Sequence, residues 1–188
     1  GRDRRTFDAL TDPVEFLRQS GQRRGGRSRA RRRLLQATFD RADHATDSIL
    51  IAASADRCWN VVLDFAAYPQ WARDIKQVSV VATDEQGRAT EVSFRAAAMG
   101  RSARYTLRYD YSAAPEALAW ELVESDIMRS LSGEYRFVEL AGGTQVTYEL
   151  EVELVLPLPG FVKRRAEHKI IGFALDSLRR RVESLEQP

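Results

Sequence analysis

Cysteine occurs once in this 188-residue chain, as Cys58, and histidine twice, as His44 and His168. One thiol excludes an intramolecular disulfide and any cysteine-clustered zinc or iron–sulfur site. The two imidazoles stand far apart in sequence, in neither an HxxxH nor an HExxH spacing, so neither a metal nor a cofactor is expected. No window approaches the roughly 20 consecutive apolar residues that a bilayer span needs. The arginine-rich amino end also lacks the apolar stretch of a secretory signal, and these absences together read as a cytoplasmic protein.

Hydrophobic residues make up 44% of the chain, enough for a buried core in one domain of ordinary size plus an extension. The net charge of +2 conceals an asymmetry. Residues 1–45 carry 12 Lys and Arg against 6 Asp and Glu, leaving 17 against 21 in residues 46–188. The chain therefore divides into a basic arm, residues 1–45, and a mildly acidic body, residues 46–188. At the centre of the arm, RRGGRSRARRR contributes Arg23, Arg24, Arg27, Arg29, Arg31, Arg32 and Arg33 on a Gly- and Ser-containing backbone. That composition cannot pack a core and is expected to stay flexible or to order on a partner. Arginines without interleaved aromatics suit phosphate contact of low sequence specificity, so structured RNA such as the ribosome, or an anionic membrane surface, is the partner considered for the arm. Ahead of them, Asp12-Pro13 introduces VEFLRQS, a helix of about two turns.

From Thr46 the pattern becomes regular. DSILIAAS alternates as a strand, and Ser54 caps a helix through SADRCWNVVLDF, with Cys58, Trp59, Val62, Leu63 and Phe65 on one face. Pro69 starts a second short helix, PQWARDI. After Ile75 the period is two, with turns at DEQG, AAPEA and AGG separating strands over 77–83, 90–98, 103–111, 118–125, 132–140 and 144–154. Beyond PLPG a helix of roughly 25 residues carries Val162, Ala166, Ile170, Phe173, Ala174, Leu178 and Val182 as its apolar stripe. Alternation puts Tyr105, Leu107, Tyr109 and Tyr111 on one face, and Val146, Tyr148, Leu150, Val152 and Leu154 likewise, with charged residues opposite. Val92, Phe94, Ala96 and Ala98, Leu118, Trp120 and Leu122, and Gly133, Tyr135 and Phe137 extend that inner face. The order predicts an α+β architecture in which a seven-stranded curved antiparallel sheet wraps a long carboxy-terminal helix, with two short helices between strands one and two.

The segments VVLDFAAYPQW, SGEYRF, GGTQVTYELEVEL and PLPGFVKRRAEHKI resemble the START-like superfamily, specifically its polyketide cyclase/dehydrase and coenzyme-Q-binding-like branch, over about residues 46–185. The resemblance implies a helix-grip fold with a hydrophobic cavity between sheet and terminal helix. Members carry lipids or quinones, cyclise polyketides, sense hormones or act on ribosomes, so shared fold does not choose among these. The expected activity is binding or transport of a hydrophobic small molecule (lipid, quinone or polyketide-like). The alternatives are a polyketide cyclase/dehydrase and a ribosome- or RNA-associated factor that uses the arm. Expected ligand-binding residues are Tyr68, Trp71, Phe94, Tyr105, Leu107, Tyr109, Trp120, Tyr135, Phe137, Tyr148, Ile170 and Phe173. Catalytic residues are not assigned, because no nucleophile stands beside a base at motif spacing. Cys58 reads as a core residue and His168 as a surface one. The apolar tips Leu158, Phe161 and Val162 beside Lys163, Arg164 and Arg165 offer a second way to meet a membrane surface.

Overall fold

In the computed structural model, the described residues are 45–98, 101–156 and 159–185. Residues 1–44 of the basic arm, with the helix expected after Pro13, and Leu158 lie outside them, whereas Ala45, the last residue assigned to the arm, already belongs to the first strand.

Strand β1 (Ala45–Ile51) leads into α1 (Ala55–Leu63), whose first turn is capped where expected: the Ser54 side chain accepts from the Arg57 backbone N–H at 3.4 Å, and Asp56 places a negative charge at the same end. Cys58, Val61 and Val62 are its buried residues. The helix stops at Asp64, and a 3-10 turn (Phe65–Ala67) runs directly into the single-turn helix α2 (Tyr68–Trp71), with Pro69 near its start. The sequence-predicted second helix, PQWARDI, is thus too long. Ala72 is already extended at ψ 102°, and β2 (Ile75–Thr83) begins where that helix was expected to end.

An antiparallel meander follows, β3 (Ala89–Ala98), β4 (Arg101–Asp110), β5 (Ala117–Ser125), β6 (Met128–Leu140) and β7 (Gly143–Leu154), before α3 (Gly160–Ser184). The sheet order is β1-β7-β6-β5-β4-β3-β2, so the first strand closes on the last. Alternation decides burial along β7: Val146, Tyr148, Leu150 and Val152 are buried while Glu151 and Glu153 face solvent. The pairing passes from Thr106–Glu124 to Leu107–Leu122, leaving Val123 of β5 as a bulge, and Thr106 and Leu107 opposite it are both buried.

Helix α3 lies against β1, β7 and α1. Its buried stripe is Val162, Glu167, Ile171, Leu175, Leu178 and Val182. This corrects the expected stripe, because Ile170 and Phe173 are exposed and Ile171 and Leu175 take the sheet-facing positions. Two apolar rows run along this helix, and pattern alone does not say which one the sheet covers.

Glu167 is the one charged residue in the buried stripe. Its Oε1 accepts from the Val152 N–H at 3.1 Å, two residues past the last β1–β7 pair, Ala45 with Leu150. The carboxylate therefore satisfies a strand edge where the described β1 ladder has ended, and Lys163 Nζ stands 3.7 Å from the same oxygen. Gly133 of the SGEYRF segment has a different role. It pairs across the ladder with Trp120, and a Cβ there would come within 2.5 Å of the indole and 2.9 Å of the Glu149 carbonyl. The missing side chain is what lets Trp120 lie flat over β6.

Two outcomes follow. Gly133→Ala is expected to cost about 1–3 kcal/mol through overpacking, read as a lowered midpoint in thermal unfolding, and a smaller residue in Trp120→Leu should restore part of it. Glu167→Ala, which strands the Val152 N–H, is expected to cost about 1–3 kcal/mol, whereas Glu167→Gln keeps an acceptor and should lose much less in the same denaturation experiment.

Candidate functional site

Phe65 begins the site. Because the helix is broken at Asp64, the 3-10 turn carries this ring off the α1 face and down onto the sheet, 4.8 Å from Tyr109 and 6.5 Å from Phe94, centroid to centroid. Tyr68 stacks beside it at 5.5 Å and touches Trp71 at 4.8 Å and Phe94 at 6.1 Å. Phe94 in turn lies nearly parallel to Tyr105 at 5.3 Å. From Tyr109 the contacts continue across the sheet to Trp120 (6.1 Å), then Tyr135 (5.2 Å) and Tyr148 (5.5 Å), with Tyr135 and Tyr148 at 4.5 Å and Phe137 beyond. Apart from the stacked Phe94–Tyr105 pair, the rings are tilted or edge-on, as ring quadrupoles prefer.

Nine of the twelve sequence-predicted binding residues belong to this one network, and Leu107 is buried in the same core cluster. Ile170 and Phe173 do not join it; both are exposed on α3, Phe173 beneath the Arg73 guanidinium at 5.5 Å. Sequence reasoning missed Phe65 as the bridge between helices and sheet, because it was counted as part of the α1 face. Trp59 was counted there as well, and it reaches Phe137 at 5.7 Å and Tyr111 at 6.4 Å. Asp64 following Leu63 was the available signal that the helical period had ended.

Polar chemistry on this face is phenolic. Tyr68 donates to the Val62 carbonyl at 2.7 Å, tying α2 back to the end of α1, and Tyr111 donates to the Ala89 carbonyl at 2.8 Å. The hydroxyls of Tyr105, Tyr109, Tyr135 and Tyr148 have no hydrogen-bond partner among the described residues. Burial pushes the pKa of Tyr109, Tyr135 and Tyr148 well above 10, and the neighbouring phenols push in the same direction. Tyr68 and Tyr105 are raised chiefly by the same desolvation, Tyr105 additionally by the Asp74 carboxylate. Depth and closure do not coincide here. Tyr109, Trp120 and Tyr148 keep 7–9% of their surface, and Tyr105 and Tyr135 keep more, whereas Ile51, Leu118, Val146, Ile171 and Leu178 are sealed at 0%.

Two recesses of about 460 and 410 Å³ open on the outside of the molecule. The larger runs along α1 past Trp71 to Arg181 and Leu185, and the smaller lies between the β1–α1 junction and the β6–β7 turn. Trp71 is the only expected binding residue in either. Arg104 and Arg108 of β4 are exposed, Arg108 paired with Glu91 at 2.8 Å. Cys58 is buried and His168 exposed. Among the described residues no three metal-ligating side chains converge, and no helix is long and apolar enough to cross a membrane.

Among curated proteins no match is found. Solved structures do match. A START superfamily protein from Mycobacterium smegmatis aligns at 26% identity and TM-score 0.72, covering 76% of this chain and 98% of its own. The aromatase/cyclase Zhui from Streptomyces sp. R1128 aligns at 19% identity and TM-score 0.66, covering 77% and 95%. A STAR-related lipid transfer protein from Xanthomonas axonopodis aligns at 18% and 0.55, covering 73% and 84%. Nothing in these likenesses supports a ribosome- or RNA-associated role for Arg23–Arg33, which lie outside the described residues. The model of the family described as polyketide cyclase/dehydrase and lipid transport matches residues 42–183, and with the START-like helix-grip fold in place the chain belongs to that family.

Proposed function

We propose that this domain binds an uncharged, oxygen-bearing aromatic or polycyclic molecule against the inner face of β3–β7. The supporting observation is the position of the phenols: they lie deep enough for desolvation to raise their pKa values, yet they keep surface that the sealed residues Ile51, Leu118, Val146, Ile171 and Leu178 do not. Side chains with both properties line a recess, whereas side chains at the centre of a packed core have no surface left. The rings supply apolar area, worth about 25 cal/mol per Å² removed from water before ordering costs. Four unengaged hydroxyls supply the polar complement, since a phenol donates to a carbonyl or quinone oxygen and accepts from a hydroxyl.

The same face argues for a neutral guest. None of the ring-network residues carries a charge, so an ionised carboxylate or amine would enter without a counter-ion and lose its hydration uncompensated. It also argues for binding ahead of turnover. Phenols held well above pKa 10 remain protonated at neutral pH, where they orient an oxygen but cannot serve as bases.

Titration with three probes of one shape tests this reading: 1,4-naphthoquinone, naphthalene and 1-naphthoate, followed by intrinsic fluorescence. Naphthoquinone should bind most tightly and naphthoate at least about tenfold more weakly, the scale of one uncompensated polar interaction. Tyr135→Phe should weaken the quinone and leave naphthalene unchanged. Equal affinities, or preference for the carboxylate, would refute it.

Alkaline titration provides a second check. A phenol whose pKa is higher folded than unfolded contributes stability that is present below about pH 10 and is lost as pH rises further. Phenolate absorbance should therefore stay low beyond the ordinary tyrosine range and then rise together with loss of near-ultraviolet circular dichroism. Gradual ionisation around pH 10 with the fold intact would show that the phenols are solvated.

A further inference from the structure

Just past β7 and along the first half of α3, the molecule exposes large apolar side chains. Leu156 is 74% and Phe161 61% accessible, and Val155, Ile170 and Phe173 are exposed as well. Isolated exposed leucines need no explanation, but the two most exposed large apolar side chains among the described residues, Leu156 and Phe161, stand only five positions apart. Phe161, Arg165, Lys169 and Phe173 follow one another at i, i+4 spacing, a single ridge about 18 Å long.

Between Gly160 and Ile170 the helix carries Lys163, Arg164, Arg165 and Lys169, and its one acid, Glu167, is buried, bound to the Val152 N–H and 3.7 Å from Lys163. Arg165 and Lys169 are the exposed charges of this stretch. Further along, the Arg73 guanidinium and the Lys169 ammonium lie 5.5 and 5.7 Å from the Phe173 ring, so cations flank the apolar tip on both sides. Long basic side chains around exposed aromatic and aliphatic tips suit a surface that is apolar a few ångströms down and anionic above.

We propose that this ridge, together with Leu156 just ahead of it in the chain, docks on an anionic lipid surface, Leu156 and Phe161 entering the acyl boundary while the exposed Arg165 and Lys169 face the headgroups. The site is separate from the ring network, and its occupant does not depend on which small molecule the interior takes.

Co-sedimentation of the full chain with phosphatidylcholine vesicles, alone or mixed with phosphatidylglycerol, tests the docking. The protein should pellet with the mixed vesicles, less as salt rises, and stay in solution with phosphatidylcholine alone. Leu156→Ser combined with Phe161→Ser leaves every charge of the basic arm in place, so a loss of at least about fivefold in partitioning, with an unchanged unfolding midpoint, assigns attachment to this ridge. The Phe161→Trp variant should gain fluorescence that lipids brominated on their acyl chains quench beyond the wild-type level. Unchanged partitioning of the double variant, which would place attachment on the arm, or no added quenching, overturns the proposal.

Discussion

One helix cannot cover seven strands. At about 4.8 Å between neighbouring strands the sheet is roughly 30 Å wide, while a helix with its side chains is about 10–12 Å across. The inner face of β3–β7 is largely apolar, so it must be kept from water. The fold meets this constraint in two ways. Helix α3 covers the β1 and β7 side through Ile171, Leu175, Leu178 and Val182, and the remaining strands carry rings large enough to cover one another. Phe65 and Tyr68, delivered by the broken helix between β1 and β2, complete the cover from above. Aromatic content on β4–β7 is thus a geometric consequence of a wide sheet and a single closing helix. A molecule lodged against those rings finishes the same cover.

Much of this was legible in the sequence because it follows from period. The two-residue alternation assigned nearly every inner-face residue of β3–β7, and Ser54, Pro69 and the PLPG segment marked the helix starts. What failed was decided by tertiary contact. On α3, apolar residues occupy two adjacent rows, and the sheet chose the row through Ile171 and Leu175 over the one through Ile170 and Phe173. At α2, Pro69 announced a helix, but the extended backbone from Ala72 into β2 limited it to one turn. Glu167 was invisible as a structural residue, because nothing in a local pattern says that a glutamate will reach a strand edge fifteen positions earlier. The candidate site was readable as a set of rings; the idle hydroxyls and the bridging position of Phe65 were not.

The resulting interior has a definite chemical character. It offers area, ring faces and neutral hydroxyls, while ion pairs such as Arg108–Glu91 lie on the outer face and the buried Glu167 is bound to the Val152 N–H. Selectivity in such a site comes from shape and from one or two oxygens, and a buried donor left without a partner disfavours the wrong guest as much as a new bond favours the right one. The fold alone is shared with an aromatase/cyclase and with a lipid transfer protein. What distinguishes this chain is therefore the set of side chains on the inner face, as expected when function is grafted on a shared scaffold.

Crystals pressurised with xenon would test most directly whether the phenols border a space. Xenon enters dry apolar volume without needing the natural guest. The account predicts a xenon peak in contact with the rings of Tyr105, Tyr109, Tyr135 and Tyr148. An interior with those four rings closed on one another and no xenon among them would contradict it.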